Sequence, residues 1–302
     1  MSLSIPEHYI RTFEKNWNHT VQQEVSRLED KVMVKAFEGK EDVLTDLDQV
    51  DFKETKGRLG KSNPGEATGS KRKITKRNFD CQIIFDKDDK HFLGMLSEPT
   101  SELMEEMKFA WNRRTDQLII EAASADVYGG VAPYTTPIAL PSTQKVAVNY
   151  VEPGTSVANS GLTPDKLLEA KRIFEQNEIM FEEDEIYLVC SPKDIKDLTY
   201  HVKNAGNDTW AAMVADYVKD NSNKLFDFNV IKSNRLSVTS DIETAITFSK
   251  RRGICMSPSE MSIQVDVLPT QKHARQISAY GQYGGIRRYE EGVVEIHCDH
   301  SP

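Results

Sequence analysis

The residues of this sequence that could do chemistry are few and scattered. Metal-capable side chains cluster in one place, where His297, Cys298, Asp299 and His300 are consecutive. In an extended strand successive side chains point to opposite faces, so His297 and Asp299 would face away from Cys298 and His300. A zinc-like site needs three or four ligands around one point, and this run does not supply them. We therefore predict no metal site.

Other combinations have simpler structural explanations. Cys190 ends a short apolar run and His201 follows in a polar one, which indicates a buried thiol and a surface imidazole. The consecutive acids at 182–185 suit a solvated turn better than two opposed catalytic carboxylates. Gly281 and Gly285 lie inside a strand pattern, which is typical of a bulge or a close backbone approach. The motifs GxSxG, HExxH, GxxxxGK[ST] and GxGxxG are absent. We expect no enzyme and no cofactor.

Composition limits the class of protein further. The chain has 302 residues, of which 38% are hydrophobic, enough for one large domain or two smaller ones. Lys and Arg number 38 against 47 Asp and Glu, so the net charge of −9 argues against a dedicated nucleic-acid binder. The four cysteines form no CxxC pair and are expected to be reduced thiols. No secretory h-region and no membrane-spanning apolar run is present, so neither secretion nor membrane insertion is indicated.

A long helix over residues 99–128 is the element around which the chain is organised. Thr100 is a suitable N-cap, and no Gly or Pro interrupts the run before the glycine pair that ends it. Arg113, Arg114 and Asp116 form a charged cluster near its middle, for which ordinary surface ion pairs are the alternative to a functional role. Its apolar residues recur at helical spacing: Met104, Met107, Trp111, Leu118 and Ala122, widened by Leu103, Ala110 and Ile119.

The N-terminal stretch 6–37 has the apolar periodicity of an amphipathic helix. Phe13, Trp17 and Val21 belong to its apolar face, which needs a packing partner. Two alternatives remain open. The helix docks on its own domain, or it packs as an arm on a neighbouring subunit.

Two extended runs at 50–55 and 74–86 follow, with the turn sequence Asn63-Pro64-Gly65 between them. This pattern predicts a long β-hairpin with a mobile tip. The segment 53–77, which we call the basic segment, contains nine basic and two acidic residues. Its net charge is therefore +7, which leaves −16 on the rest of the chain.

Three interpretations of the basic segment stay open. It is a solvated loop, a nucleic-acid contact, or a projecting loop that lies on the acidic surface of an identical neighbour. No aromatic residue lies between Phe52 and Phe79 on which a base could stack, which weakens the second interpretation. For the third, the candidate inter-subunit contacts are Lys56, Arg58, Lys61, Lys71, Arg72 and Lys73.

Strand and helix patterns alternate in the segment 163–255. Helices are predicted from Thr163 and from Ser191, each with capping chemistry, and over 208–219. Strands are predicted at 185–190, 226–232 and 244–248. The last part of the chain predicts three strands of one antiparallel sheet, at 261–268, 274–287 and 292–297. The fold class is α+β.

Two stretches resemble the major capsid proteins of tailed bacteriophages, whose Hong Kong 97-type fold is shared with encapsulins. They are WNRRTDQLIIEAASADVYGG in the long helix and QVDVLPTQKHARQISAYGQYGGIRRYEEGVVEIHCD near the C-terminus. The order of elements is also similar over nearly the whole chain. The resemblance implies these parts: N-terminal arm 1–49, extended β-hairpin loop 50–93, peripheral domain with the spine helix 94–162, axial domain 163–255 and peripheral return strands 256–302.

The resemblance implies a structural protein whose pentamers and hexamers close an icosahedral shell around double-stranded DNA. Implied partners are copies of itself, a separate scaffolding protein, a portal and, in some cases, a decoration protein. There would be no membrane and no sequence-specific DNA contact. The protein would reside in the virion after assembly in the cytoplasm of a bacterial host. Some family members join subunits through a Lys–Asn isopeptide bond, but we match no acceptor and predict no cross-link.

Two alternatives to a phage capsid protein remain at this point. An encapsulin-like compartment shell has the same fold with different contents. A nucleic-acid-binding module using the basic segment belongs to a different class, and it predicts salt-sensitive DNA affinity.

Overall fold

The computed structural model describes residues 20–47, 50, 52, 68–85, 100–151, 158–205, 208–219, 223–271 and 273–301. Helices and several sheets occur together in these ranges, as expected for the α+β class. The helices are α1 (Thr100–Ser124), α2 (Pro164–Gln176), α3 (Pro192–Ala205) and α4 (Asp208–Val218). None of these four is long and apolar enough to cross a bilayer.

The strands group into four sheets. In chain order they are β1 (Met33–Val34), β2 (Glu41–Leu47), β3 (Gly69–Thr75), β4 (Arg77–Phe85), β5 (Val127–Gly129), β6 (Thr136–Ile138), β7 (Lys145–Val146), β8 (Ile186–Cys190), β9 (Lys224–Leu225), β10 (Phe228–Lys232), β11 (Val238–Thr239), β12 (Ile242–Ser249), β13 (Ile254–Met256), β14 (Glu260–Leu268), β15 (Ala274–Tyr283), β16 (Gly285–Arg287) and β17 (Val293–Asp299). The sheet orders are β1-β13-β16, β2-β3-β5-β6, β14-β15-β4 and β7-β17-β12-β8-β10-β9 with β11 beside β12.

The predicted long helix is confirmed as α1, and it bridges two sheets. Near its start, Met107 packs with Ile277 and Ala279 of the sheet β14-β15-β4. Near its end, Ile119 and Ala123 pack against the seven-stranded sheet. One rigid helix therefore fixes the position of the two sheets relative to each other.

The predicted N-terminal helix is wrong for the described residues 20–37. That stretch contains a 3₁₀ turn at Glu29–Lys31 and the short strand β1, which pairs in parallel with β13. Leu28 and Val32 are buried in the cluster that contains the end of α1. Tertiary packing of these two side chains overrides the helical periodicity. Residues 6–19, including Phe13 and Trp17, lie outside the described residues.

The hairpin exists, but its first strand is not the predicted one. β3 pairs with β2 at Glu41–Leu47, whereas of the predicted strand 50–55 only residues 50 and 52 are described, and neither is in a strand. An inward position of β2 is occupied by Asp46, which is buried in an ion pair with Arg288. The sequence of β2 therefore lacks the apolar alternation by which a strand is recognised. The second predicted strand divides into β3 and β4, and β4 pairs with β15 instead of with the hairpin.

The predicted alternation of helices and strands in the segment 163–255 is confirmed, and two strands from outside this segment, β7 and β17, join its sheet. Thr163 caps α2 by accepting the N–H of Lys166, and Asp194 caps α3 by accepting the N–H of Ser191. β17, expected beside β14 and β15, instead lies between β7 and β12 in the seven-stranded sheet. Its residues Val293 and Val294 belong to hydrophobic clusters on opposite faces of that sheet. A strand whose two faces are both apolar belongs inside a sheet that is covered on both sides.

Candidate assembly site

The two strands of the hairpin are attached to the body through a buried network of charges. Arg72 on β3 donates from Nη1 and Nη2 to the two carboxylate oxygens of Glu290, at 2.7 and 2.5 Å. Both side chains are largely buried. Burial alone would raise the pKa of Glu290, but the hydrogen bonds and charge of Arg72 hold it below its usual value. This bidentate pair fixes β3 to the turn that follows β16.

The other hairpin strand is attached through Asp46. Its Oδ1 accepts hydrogen bonds from Nη2 of Arg288 at 2.9 Å and from the hydroxyl of Tyr289 at 2.7 Å. Burial would raise the pKa of Asp46, but these two donors lower it below its usual value. Both strands of the hairpin are thus anchored to one short segment, 288–290.

Arg287, the residue before this segment, is fully buried and connects it to α1. Its guanidinium donates to the carbonyl oxygens of Ala123 and Ala125 at 2.9 and 3.0 Å, and to that of Ile138 at 3.0 Å. The carbonyl of Ala123 belongs to the last turn of α1, where backbone acceptors have no partner within the helix, and that of Ala125 lies just beyond the helix end. Burial lowers the pKa of Arg287, and the nearby carboxylate of Glu290 opposes that effect. We call Asp46, Arg72, Arg287, Arg288, Tyr289 and Glu290 the hairpin root.

The segment before β1 is held by the middle of α1. Asp116 is buried, and its Oδ1 accepts hydrogen bonds from Oγ of Ser26 at 2.6 Å and from the backbone N–H of Leu28 at 3.2 Å. The backbone N–H of Arg27 also donates to this carboxylate, at 3.1 Å from Oδ2. Asp116 is therefore the docking point of the N-terminal segment.

The other two charged residues of the predicted helix cluster are also used within the chain. Arg113 hydrogen bonds to Gln22 and lies 3.4 Å from Glu106. Arg114 pairs with Glu121 at 2.9 Å and places its guanidinium 5.2 Å from the centre of the Phe79 ring. Ordinary ion pairs thus describe Arg113 and Arg114, whereas Asp116 has a specific structural role.

The candidate inter-subunit residues have different environments. Lys71 is exposed, and Lys73 lies 3.5 Å from Glu41 on the paired strand. Arg72 is buried in the hairpin root, because the alternation of β3 points it inward. Lys56, Arg58 and Lys61 lie outside the described residues.

The C-terminal residues combine with groups that sequence did not connect. His300 places Nε2 at 2.9 Å from Asp194 and Nδ1 at 2.6 Å from Glu243. One ligand atom from each residue lies within 4.8 Å of the others, which makes this a metal-capable group among the described residues. The two ring nitrogens point at different carboxyl groups, so the arrangement suits an imidazole held between two acidic side chains better than three ligands around one ion.

The remaining chemistry candidates are arranged as expected. Cys190 is buried in the core of the lobe, and His201 is exposed on α3. The acids 182–185 belong to a turn beside a cleft of about 750 Å³, where Glu185 pairs with Lys250 at 2.9 Å. The predicted close approach is found at Gly281, which packs against the indole of Trp111.

The fold of this chain is similar to solved capsid and head structures of several bacteriophages. The capsid protein of Cyanophage P-SCSP1u superposes with a TM-score of 0.69 at 14% identity, over 96% of this chain and 93% of that one. The capsid protein of Ralstonia phage GP4 gives 0.68 at 9% identity, over 100% and 98%. The head protein of Helicobacter pylori bacteriophage KHP40 gives 0.66 at 7%, over 96% of each. These similarities confirm the Hong Kong 97-type fold.

A model of the phage capsid protein family matches residues 5–300. The chain belongs to this family and is a major capsid protein, a structural component of the virion shell. No curated protein sequence matches it.

Proposed function

We propose that this capsid protein assembles with copies of itself into rings of five and six, which close into an icosahedral shell around double-stranded phage DNA. The match to the capsid family over residues 5–300 is the observation that carries the proposal. A ring needs contacts in which one surface of each subunit meets a different surface of the next. A basic segment and a remainder of opposite net charge are suited to such contacts.

The basic segment supplies one side of the ring contact in this proposal. Its net charge is +7 against −16 on the remainder of the chain, so opposite charges meet when it lies on a neighbour. Lys71, Lys56, Arg58 and Lys61 are the proposed contacts, with Lys73 shared with Glu41 of its own subunit. The hairpin root supports the proposal because it attaches both strands of the hairpin to the body of the subunit.

The N-terminal arm supplies a second contact. Val21 is fully exposed in the single subunit, although it precedes the segment held by Asp116. A neighbouring subunit would cover Val21 together with Phe13 and Trp17. Many weak contacts of this kind stabilise a shell, because each subunit is held by several neighbours at once.

We propose that a separate scaffolding protein and a portal take part in assembly in the cytoplasm of the bacterial host, and that a decoration protein binds the finished shell. The DNA would be enclosed without sequence-specific contacts. Net negative charge on the body of the subunit would keep a polyanion from binding the inner wall tightly. No cross-link is proposed, so boiled shells should run as monomers on a denaturing gel.

Electron microscopy of the protein expressed alone, with sedimentation to size the particles, tests the proposal. Closed shells or rings of five or six are the expected result. Shells that contain an enzyme instead of DNA would favour an encapsulin-like compartment. A protein that stays monomeric when crowded, and also when mixed with the scaffolding protein, would contradict self-assembly.

A charge reversal tests the role of the basic segment. Lys71→Glu should reduce assembly while leaving thermal unfolding unchanged, because Lys71 is exposed. Lys196→Glu makes the same charge change on the exposed face of α3 and is the matched control. Loss of DNA binding with normal assembly in Lys71→Glu would instead support a nucleic-acid contact.

A further inference from the structure

Strand β14 is the edge of its sheet, with no strand beside it on one side within the described part of the chain. All nine residues of β14 pair with β15 in continuous antiparallel register, without a bulge. β15 pairs in turn with β4, which is the other edge. The outer side of β14 therefore presents backbone N–H and C=O groups to which another strand can pair.

β14 carries the acids Glu260 and Asp266 but lacks other features that usually protect an edge strand. It contains no Lys and no Pro, and its register is regular. Val265 and Val267 leave 44% and 52% of their surface exposed. They lie on the same face of β14 as Met261 and Ile263, which pack below α1. The polar residues between them point to the other face. The apolar surface under α1 thus continues to the open edge.

We infer that β14 pairs with β14 of a second copy of this chain, antiparallel, across a two-fold axis at Gln264. On the apolar face, Met261 then lies opposite the partner's Val267. Ile263 lies opposite the partner's Val265. Both are apolar pairs of the kind that stabilise adjacent strands.

The polar face fits the same register. Glu260 lies opposite the partner's Leu268, and Asp266 lies opposite the partner's Ser262. An axis one residue earlier, at Ile263, would place Glu260 opposite the partner's Asp266, and like charges directly opposite destabilise a pair of strands. The axis at Gln264 avoids this repulsion and uses all nine residues.

The pairing would join two three-stranded sheets into one sheet of six strands. It is a self-complementary two-fold contact, whereas contacts around a ring are head-to-tail. It would therefore connect subunits of neighbouring rings. This inference rests on the proposed shell function, because it supplies the contact between rings that a closed shell needs.

Disulfide trapping tests the register. Residues opposite each other in antiparallel strands have Cα atoms about 4.5 to 5.5 Å apart, within the range that a disulfide spans. Gln264→Cys meets its own copy on the axis, so most subunits should become disulfide-linked dimers under mild oxidation. The exposed Cys81 is replaced in all samples by Cys81→Ser; the other three cysteines are buried.

Neighbouring positions are the matched controls. Ser262→Cys is about 14 Å from its own copy in this register, since four residues separate it from its partner position. Asp266→Cys is equally far from its own copy. Each single variant should therefore remain monomeric on a non-reducing gel. The double variant Ser262→Cys with Asp266→Cys should form dimers again.

Sedimentation of the same samples separates this inference from the proposed function. Shells in which Gln264→Cys stays monomeric would overturn the strand pairing and leave the shell standing; a neighbour's hairpin or arm on β14 would give that result. Gln264→Cys dimers without shells would support the pairing and contradict the shell. Dimers of all three single variants would indicate random collision and overturn the register.

Discussion

The carboxylate of Asp116, in the middle of α1, accepts the backbone N–H of Leu28 at 3.2 Å. Gln23, Ser26 and Arg27 donate to the same carboxylate, so one acid collects four donors from the N-terminal segment. No helix or strand at residues 26–28 supplies another hydrogen-bond acceptor for the backbone N–H groups of Arg27 and Leu28. Asp116 therefore fixes the position of residues 26–28 on α1.

Asp116→Asn should destabilise the subunit and release this segment. The amide keeps one oxygen acceptor but presents an N–H₂ group toward backbone donors, so we expect a loss of about 2 kcal/mol in the free energy of unfolding. Trypsin should also cleave at Arg27 faster than in the natural protein. Asp126→Asn makes the same charge change at an exposed site and should alter neither measurement. Equal cleavage rates in the two variants would contradict the docking role.

The hairpin root gives a second prediction. Arg72→Ala leaves the carboxylate of Glu290 buried beside Arg287 without its bidentate partner. Removing one member of a buried pair costs about 3 kcal/mol or more, which urea unfolding would measure. The adjacent Lys71→Ala removes an exposed cation and should change stability by less than about 0.5 kcal/mol. Similar losses in the two variants would show that the buried network does not hold the hairpin.

Elements with local signals were predictable from the sequence. The apolar stripe of α1 and the capping residues Thr163 and Ser191 each depend on neighbours a few positions away. The close approach at Gly281 was also recognisable, because glycine inside a strand usually has a packing reason. The resemblance to capsid proteins depended on such local patterns in the correct order.

Features that depend on distant partners were not predictable. Asp46 made β2 look like a polar loop, because Arg288, which neutralises it, lies far along the chain. Asp116 looked like a surface charge, because the path of the N-terminal segment is set by tertiary packing. Lys166 gave no signal at all, yet it is buried and donates to the carbonyl oxygens of Ser160, Gly161 and His297.

The contacts of His300 with Asp194 and Glu243 give a pH-dependent prediction. Burial, followed by the charge of Asp194, raises the pKa of Glu243. Because its folded-state pKa is raised, Glu243 contributes stability at low pH that is lost as the pH rises through that value. His300 opposes the loss by standing between the two carboxylates. The charge of His300 lowers the pKa of Glu243, so removing it in His300→Gln should raise that pKa further and cost more stability at about pH 8 than at about pH 5.

Urea unfolding at the two pH values measures this difference. His201→Gln, at an exposed position on α3, is the control and should lower stability by the same small amount at both. A loss in His300→Gln that does not change between the two pH values would show that the imidazole acts by packing alone.

The contact between Gly281 and Trp111 gives the last prediction. A Cβ on Gly281 would overlap the indole of Trp111 and lie 2.7 Å from the carbonyl oxygen of Glu260. Gly281→Ala should therefore cost about 3 kcal/mol by overpacking. In a Trp111→Leu background the ring is gone and only the backbone contact remains, so the cost of Gly281→Ala should fall by more than about 1 kcal/mol. Gly285→Ala, whose new Cβ meets the side chains of Ala122 and Leu118 at 3.3 and 3.5 Å, should cost less and show no such coupling. Additive effects of Gly281→Ala and Trp111→Leu in urea unfolding would mean that the ring does not set the requirement for glycine.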